Sequence, residues 1–140
     1  MEKNIDSLIE NFLQIQTIAV VGATNKTEKW GYKVFTTLQK HGYNAIPIHP
    51  TLSEIQKIKV YPNLTKACQE HHIEGVSLIV PPSVALEVIQ ECHQHGIQHI
   101  WLQPGVESQE ILQWANQHSL PLIYQRCILK ELEKRHTTST

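Results

Sequence analysis

No apolar run in the chain approaches the roughly 20 residues that a membrane-spanning helix needs. The opening residues Met1-Glu2-Lys3-Asn4-Ile5-Asp6 carry acids where a secretory signal would carry an unbroken apolar stretch. Neither a membrane nor export is expected, and the cytoplasm is the expected setting. Cysteine is scarce: Cys68, Cys92 and Cys127 are odd in number, far apart and never in a C-x-x-C pair, which implies neither a disulfide framework nor a zinc knuckle. An excess of one charge is missing too. With 12 Lys and Arg against 13 Asp and Glu, the formal net charge of -1 lacks the bias that draws a protein to nucleic acid or to an anionic membrane. What is present is a globular profile of 41% hydrophobic and 18% charged residues over 140 positions. A body of this size buries about two thirds of its unfolded surface around one core. Residues 1–140 therefore read as a single domain, with an accessory helix in 1–15 and a polar, fraying tail in 136–140.

Along the chain, short β-branched runs alternate with helical periodicity. Ile5, Leu8, Ile9, Phe12 and Leu13 form one helical stripe, and Thr17 to Val21, ending at Gly22, reads as a strand buried on both faces. Gly31, Val34, Phe35 and Leu38 recur at i, i+3, i+4 and i+7, and Gly42 after His41 stops that helix. Asn44 to Ile48 is a second strand closed by His49-Pro50; residues 51–63 look irregular, and a helix bears Leu64, Ala67 and Cys68. Val76 to Val80 is a third strand stopped by Pro81-Pro82, with Ser83 placed to cap a helix that Gly96 ends. Ile97 to Leu102 makes a fourth strand, Gln103-Pro104-Gly105 a turn, Ser108 a cap, and Leu122 to Tyr124 a short fifth strand. A last helix begins near Cys127. The alternation predicts an α/β Rossmann-like, doubly wound parallel sheet of about five strands with helices on both faces. Ligands of such sheets bind outside the carboxyl ends of the strands, where strand order reverses.

That rule selects the turns after the strands. The first, Gly22-Ala23-Thr24-Asn25-Lys26, leads through Thr27-Glu28-Lys29 toward Lys33. A glycine there admits close approach, amides of the turn and the following helix start can take phosphate oxygens, and Thr24 adds a hydroxyl. The competing explanation is a tight turn with solvated lysines. Lys26, Lys29 and Lys33 face only Glu28 in a slightly acidic chain, and that favours a polyphosphate ligand. The dinucleotide fingerprint G-x-G-x-x-G is absent. His49 stands where an acid would hold a ribose diol, which disfavours an ordinary NAD site.

Several short motifs in order, Gly22-Ala23-Thr24, Lys33-Val34, His41-Gly42-Tyr43, Ile46-Pro47-Ile48-His49-Pro50, Val60-Tyr61-Pro62, Val80-Pro81-Pro82, Trp101-Leu102-Gln103-Pro104-Gly105 and Arg126-Cys127, carry a resemblance. From about Thr17 to Glu133 the chain resembles the small CoA-binding protein family, itself similar to the CoA-binding domain of the succinyl-CoA synthetase α subunit. The resemblance implies a Rossmann-like module for coenzyme A or an acyl-CoA. In it Gly22, Ala23 and Thr24 would cradle phosphate, Lys26 and Lys33 would neutralise it, and Pro50, Pro81 and Pro82 would line the nucleotide or pantetheine. His49, Val80, Gln103, Gly105, Arg126 and Cys127 complete the implied contacts. His49 replaces a common asparagine, Trp30-Gly31 stands where a serine is frequent, and Gln125 replaces a usual aspartate.

The synthetases also use a phosphorylated histidine from a second domain and a partner subunit, and 140 residues leave no room for an equivalent. The resemblance thus implies binding without catalysis. Cys127, following Arg126 at a helix start, is the one candidate nucleophile, for reversible mixed-disulfide exchange with CoA; the competing role is small buried packing. Nine histidines suggest a metal, but Cys92, His93 and His95 point different ways on a helix, so none is expected. Trp101 and Trp114 lie in periodic apolar segments and read as core or subunit contact. An NAD(P)-responsive Rossmann domain and a ligand-free interaction domain are the alternatives, and a homodimer is compatible with either.

Overall fold

The structure, a computed structural model, describes residues 4–138, with the side-chain surroundings of residues 4–135. Local chemistry sets most of its elements. Helix α1 (Ile5–Leu13) starts where the Asn4 side chain accepts the Asp6 N–H at 2.8 Å. Strand β1 (Thr17–Val21) is buried at all but its first residue, as a strand covered on both faces must be. Helix α2 (Trp30–Lys40) buries Gly31, Val34, Phe35 and Leu38, the stripe expected from their spacing. Strand β2 (Asn44–Ile48) follows, then a small hairpin of β3 (Glu54–Ile55) and β4 (Ile58–Lys59), and helix α3 (Leu64–Glu70) capped by Asn63. Strand β5 (Gly75–Leu78), helix α4 (Pro82–Gln94), strand β6 (His99–Leu102), helix α5 (Gln109–Gln117) and helix α6 (Ile128–Thr138) complete the order.

The four long strands form one parallel sheet in the order β2-β1-β5-β6, with Val20 opposite Pro47 on one side and Ser77 on the other. Two apolar layers cover it. Ile9, Phe12, Val34, Phe35, Leu38, Ile128 and Leu132 pack with Ile18, Val20 and Trp101, so α1, α2 and α6 share one face. Leu64, Ala67, Ala85, Val88, Ile89, Ile111 and Ala115 pack with Ala19, Val21, Val76 and Leu78, which puts α3, α4 and α5 on the other. Trp101 is fully buried, its ring edge-on to Phe12 at 5.2 Å, and its indole N–H donates to the Arg126 carbonyl. The chain leaves β1 for β2 in one direction and β5 for β6 in the other, so strand order reverses between β1 and β5. Among the described residues no helix is long and apolar enough to cross a membrane.

Two strands have other bounds than expected, Gly75–Leu78 for 76–80 and His99–Leu102 for 97–102, and three further details differ from the sequence expectation. Leu122–Tyr124 is not a full fifth strand: a single bridge joins Ile123 to Trp101, because the following bend at Gln125, with φ 61°, turns the backbone away. Residues 51–63 are not irregular throughout. Gln56 and Lys57 both take left-handed φ, 52° and 68°, and close the β3–β4 hairpin as a two-residue turn without its usual glycine. Ser83 does not cap α4; Pro81 holds the cap position and Pro82 the first helical one, where a missing N–H costs nothing. Helix α6 runs to Thr138; Ser139 and Thr140, like Met1 to Lys3, lie outside the described residues.

Candidate functional site

The β1 turn sits at the reversal point, and its shape is dictated by close packing of backbone. Gly22 has φ 100°, and a Cβ there would fall less than 3.0 Å from the carbonyl oxygen of Ile79, just past β5. A Cβ on Gly31 would come equally close to the carbonyl of Gly22, so the first turn of α2 presses directly on the β1 turn. The Gly22 N–H is held by the Ile48 carbonyl at 3.1 Å, which ties in the end of β2. Both glycines thus join three strand ends and a helix start. The sequence placed Gly31 on the buried stripe of α2 and as a departure from a resemblance; a glycine in a helix's first turn was the signal of its closer role.

From this junction the loop opens to solvent. Ala23 is fully buried beneath it, Thr24 is half-buried with its hydroxyl accepting the Lys26 N–H at 3.3 Å, and 25–30 are exposed. No side chain caps α2, so its first N–H groups are unclaimed by the helix. Lys26, Lys29 and Lys33 form no ion pair among the described residues. The Lys33 ammonium lies 5.0 Å from the Trp30 ring centroid, at the start of the helix and not on a remote surface. Backbone N–H groups at an uncapped helix start, with Lys26, Lys29 and Lys33 exposed in and just after the same loop, are the kind of group an anion would need.

The other expected residues fall around the same edge in different roles. His49 is half-buried, and its Nδ1 accepts the N–H groups of Thr51 and Leu52, both at 3.1 Å; this puts the neutral ring's proton on Nε2. Pro50, Pro81 and Pro82 are exposed, while Val80 is half-buried, its side chain beside Gly22. Gln103 is 5% exposed and committed to the fold: its Oε1 accepts the Ile128 N–H at 2.8 Å, capping α6, and its amide reaches the Cys127 sulfur at 3.5 Å. Gly105 lies in an exposed turn that Glu107 closes. The Arg126 guanidinium turns to Asp6 at 3.4 Å and Glu131 at 3.8 Å, toward α1 and α6 and not into the crevice. Cys127 is half-buried at the entry to α6. The structure therefore brings Gly22, Ala23, Thr24 and Val80 together, sets Lys33 at the start of α2 against Trp30, and directs Gln103 and Arg126 elsewhere.

Two concavities lie away from this edge. One, about 470 Å³, opens at the amino ends of the strands among Cys68, His71, His72, Glu74, His95 and His99. Among the described residues no three His, Cys, Asp or Glu side chains gather as metal ligands. The second, about 1040 Å³, runs beside β6 past Leu8, Leu112, Leu122 and Tyr124.

Comparison with known proteins gives consistent results. The model of the CoA binding domain family matches residues 16–133. The α subunit of acetate–CoA ligase [ADP-forming] II from Pyrococcus furiosus is 23% identical over 132 residues, 86% of this chain. The chain spans only 28% of that subunit's length. The uncharacterized protein YneT of Bacillus subtilis is 25% identical over 111 residues, covering 79% of this chain and 81% of its own. A solved structure of a hypothetical protein from Pyrococcus horikoshii OT3 superposes with a TM-score of 0.84 at 27% identity, over 96% of this chain and 98% of that one.

Proposed function

The chain belongs to the CoA binding domain family, and we propose that it binds coenzyme A or an acyl-CoA at the carboxyl ends of β1 and β5, without catalytic activity of its own. The observation that carries this reading is the cradle at the β1–β5 reversal. There the Gly22–Thr24 turn and the uncapped start of α2 stand beside Lys26, Lys29 and Lys33, which have no carboxylate partner among the described residues. Coenzyme A has a pyrophosphate and a 3′-phosphate. Its recognition calls for cations and free N–H groups and needs no acid for a ribose diol, consistent with His49 after β2. Pro50, Pro81, Pro82 and Val80 supply apolar walls. Gln103 and Arg126 support the reading indirectly, by fixing α6 and the bend that carries Cys127.

Calorimetric titration with CoA, dephospho-CoA and NAD tests the reading. CoA binding is expected to exceed both. Lys26→Ala and Lys33→Ala are each expected to weaken it about tenfold and to flatten its salt dependence, with Tm unchanged because both side chains are exposed. Preference for NAD, or no binding by the parent protein, overturns it.

Cys127 is assigned thiol exchange at the same edge. Its thiolate attacks one sulfur of CoA disulfide, forming a Cys127–CoA disulfide and releasing the other CoA as thiolate. Intact-mass and peptide mapping should locate the adduct on Cys127; modification confined to Cys68 or Cys92 rejects this assignment.

A further inference from the structure

The crevice carries one feature that neither the fold nor the phosphate cradle uses. Among the described residues the large hydrophobic side chains left exposed are Trp30, at 53%, and Val84, at 41%. They occupy the first turns of α2 and α4, the helices that leave β1 and β5, and so they flank the reversal point. The other two tryptophans have structural roles: Trp101 is wholly buried, and Trp114 stacks on His118 with centroids 3.9 Å apart. Trp30 packs into no core, and leaving an indole in water forfeits the large apolar burial that makes tryptophan valuable to a fold.

The geometry points to Trp30 as a stacking platform for the purine ring of the bound nucleotide, an inference that rests on the proposed binding of a CoA-type ligand in this crevice. The Lys33 ammonium, 5.0 Å from the ring centroid, engages one face of the indole. That contact restricts the ring's rotamers before a ligand arrives and so lowers the ordering cost of binding. The occupant of the exposed indole surface must be flat and apolar yet joined to anionic groups, since the ring lies against the Lys33 ammonium and directly follows the exposed loop of Lys26 and Lys29. A purine carrying phosphates meets both demands, because every base offers a π-face to an aromatic ring. The pantetheine arm has no such face and matches the aliphatic side of the crevice instead, at Pro81, Pro82 and Val84. Trp30 then acts as a specificity residue for the nucleotide end of the ligand, and Lys33 serves both ring and phosphate.

The test compares the parent protein with Trp30→Ala and Trp30→Phe, titrated with CoA, adenosine 3′,5′-bisphosphate and 4′-phosphopantetheine. Trp30→Ala is expected to weaken CoA and the bisphosphate alike by about tenfold, within the range measured for base–aromatic stacking. It leaves phosphopantetheine unchanged. Trp30→Phe is expected to recover affinity to within about threefold. The bisphosphate should quench tryptophan emission in the parent and not in Trp30→Phe, a difference that a purely structural role does not produce. Equal bisphosphate binding by parent and Trp30→Ala, or a loss confined to phosphopantetheine, overturns the stacking role while leaving CoA binding standing. Failure of the parent to bind CoA removes both.

Discussion

At the amino ends of the strands, side chains tie the loops to one another. Glu74, ahead of β5, accepts the N–H groups of Gln16 and Thr17 at 3.0 and 2.9 Å and so pins the start of β1. The Gln16 amide donates in turn to the Gly42 carbonyl at 2.7 Å, which pins the approach to β2. At the carboxyl ends, among the described residues, no side-chain hydrogen bond ties the same three strands; backbone meets there instead, Gly22 against Ile79 and Gly31 against Gly22, with the Gly22 N–H on Ile48. Side chains there are left out of the joint: the lysines are unpaired among the described residues, and Trp30 is exposed. One end uses its polar groups to set register. The other joins its strand ends through glycine and leaves its lysines without ion-pair partners among the described residues, the division that the proposed ligand site requires.

The most forceful way to break this comparison is to add a methyl group to the backbone joint. Gly22→Ala and Gly31→Ala each place a Cβ against a carbonyl oxygen that cannot move without displacing a strand end, and Gly22→Ala adds strain at φ 100°. Each is expected to lose about 3 kcal/mol or more of unfolding free energy, read from urea titration. A loss below about 1 kcal/mol would show that the joint is slack and the glycines are there for the ligand alone.

The amino end is tested through Glu74. Hydrogen bonds from the Thr17 and Gln16 backbones hold its carboxyl below the ordinary value of 4.5. A carboxyl that is more acidic in the folded state contributes stability that is complete above its unfolded value and is lost as pH falls through the folded one. Glu74→Ala is therefore expected to lower Tm by about 3 °C near neutral pH, with the deficit against the parent shrinking below about pH 4.5. A deficit that stays constant down to pH 3 would mean that the contact is not carried by the ionised form.

The smallest effect lies between the two ends. Ser77, in the middle of β5, is fully buried, and its hydroxyl has no hydrogen-bond partner among the described residues. Ser77→Ala removes an uncompensated polar group, and a gain of about 0.5 to 1 kcal/mol is expected in the same urea titration. A loss would reveal a partner for the hydroxyl and a polar path linking the two ends.

Much of this architecture was legible in residue order. The β-branched run before Gly22, the i, i+3, i+4, i+7 stripe of α2 and the Ser108 cap all follow from local periodicity and hydrogen bonding, and they stand where that reasoning put them. Cues that depend on competition between neighbours were less readable. Pro81-Pro82 displaced Ser83 as the start of α4, and a hairpin closed on Gln56-Lys57 without the glycine that usually announces one. At the candidate site, the Gly22 turn and the nearby lysines could be singled out because glycine and charge are informative residue by residue. Trp30 could not, since exposure is no property of a sequence.

The sequence by itself determined the parallel α/β alternation and the end of the sheet on which a ligand site would lie, because strand period, helix period and turn chemistry act over a few residues. Tertiary structure alone decided which of the expected site residues are taken up by other parts of the fold. Arg126 is turned aside by Asp6, 120 positions away, and Gln103 is taken up by the Ile128 amide, 25 positions on. Contacts of that span depend on how helices settle on the two faces of the sheet, and no local pattern of residues encodes them.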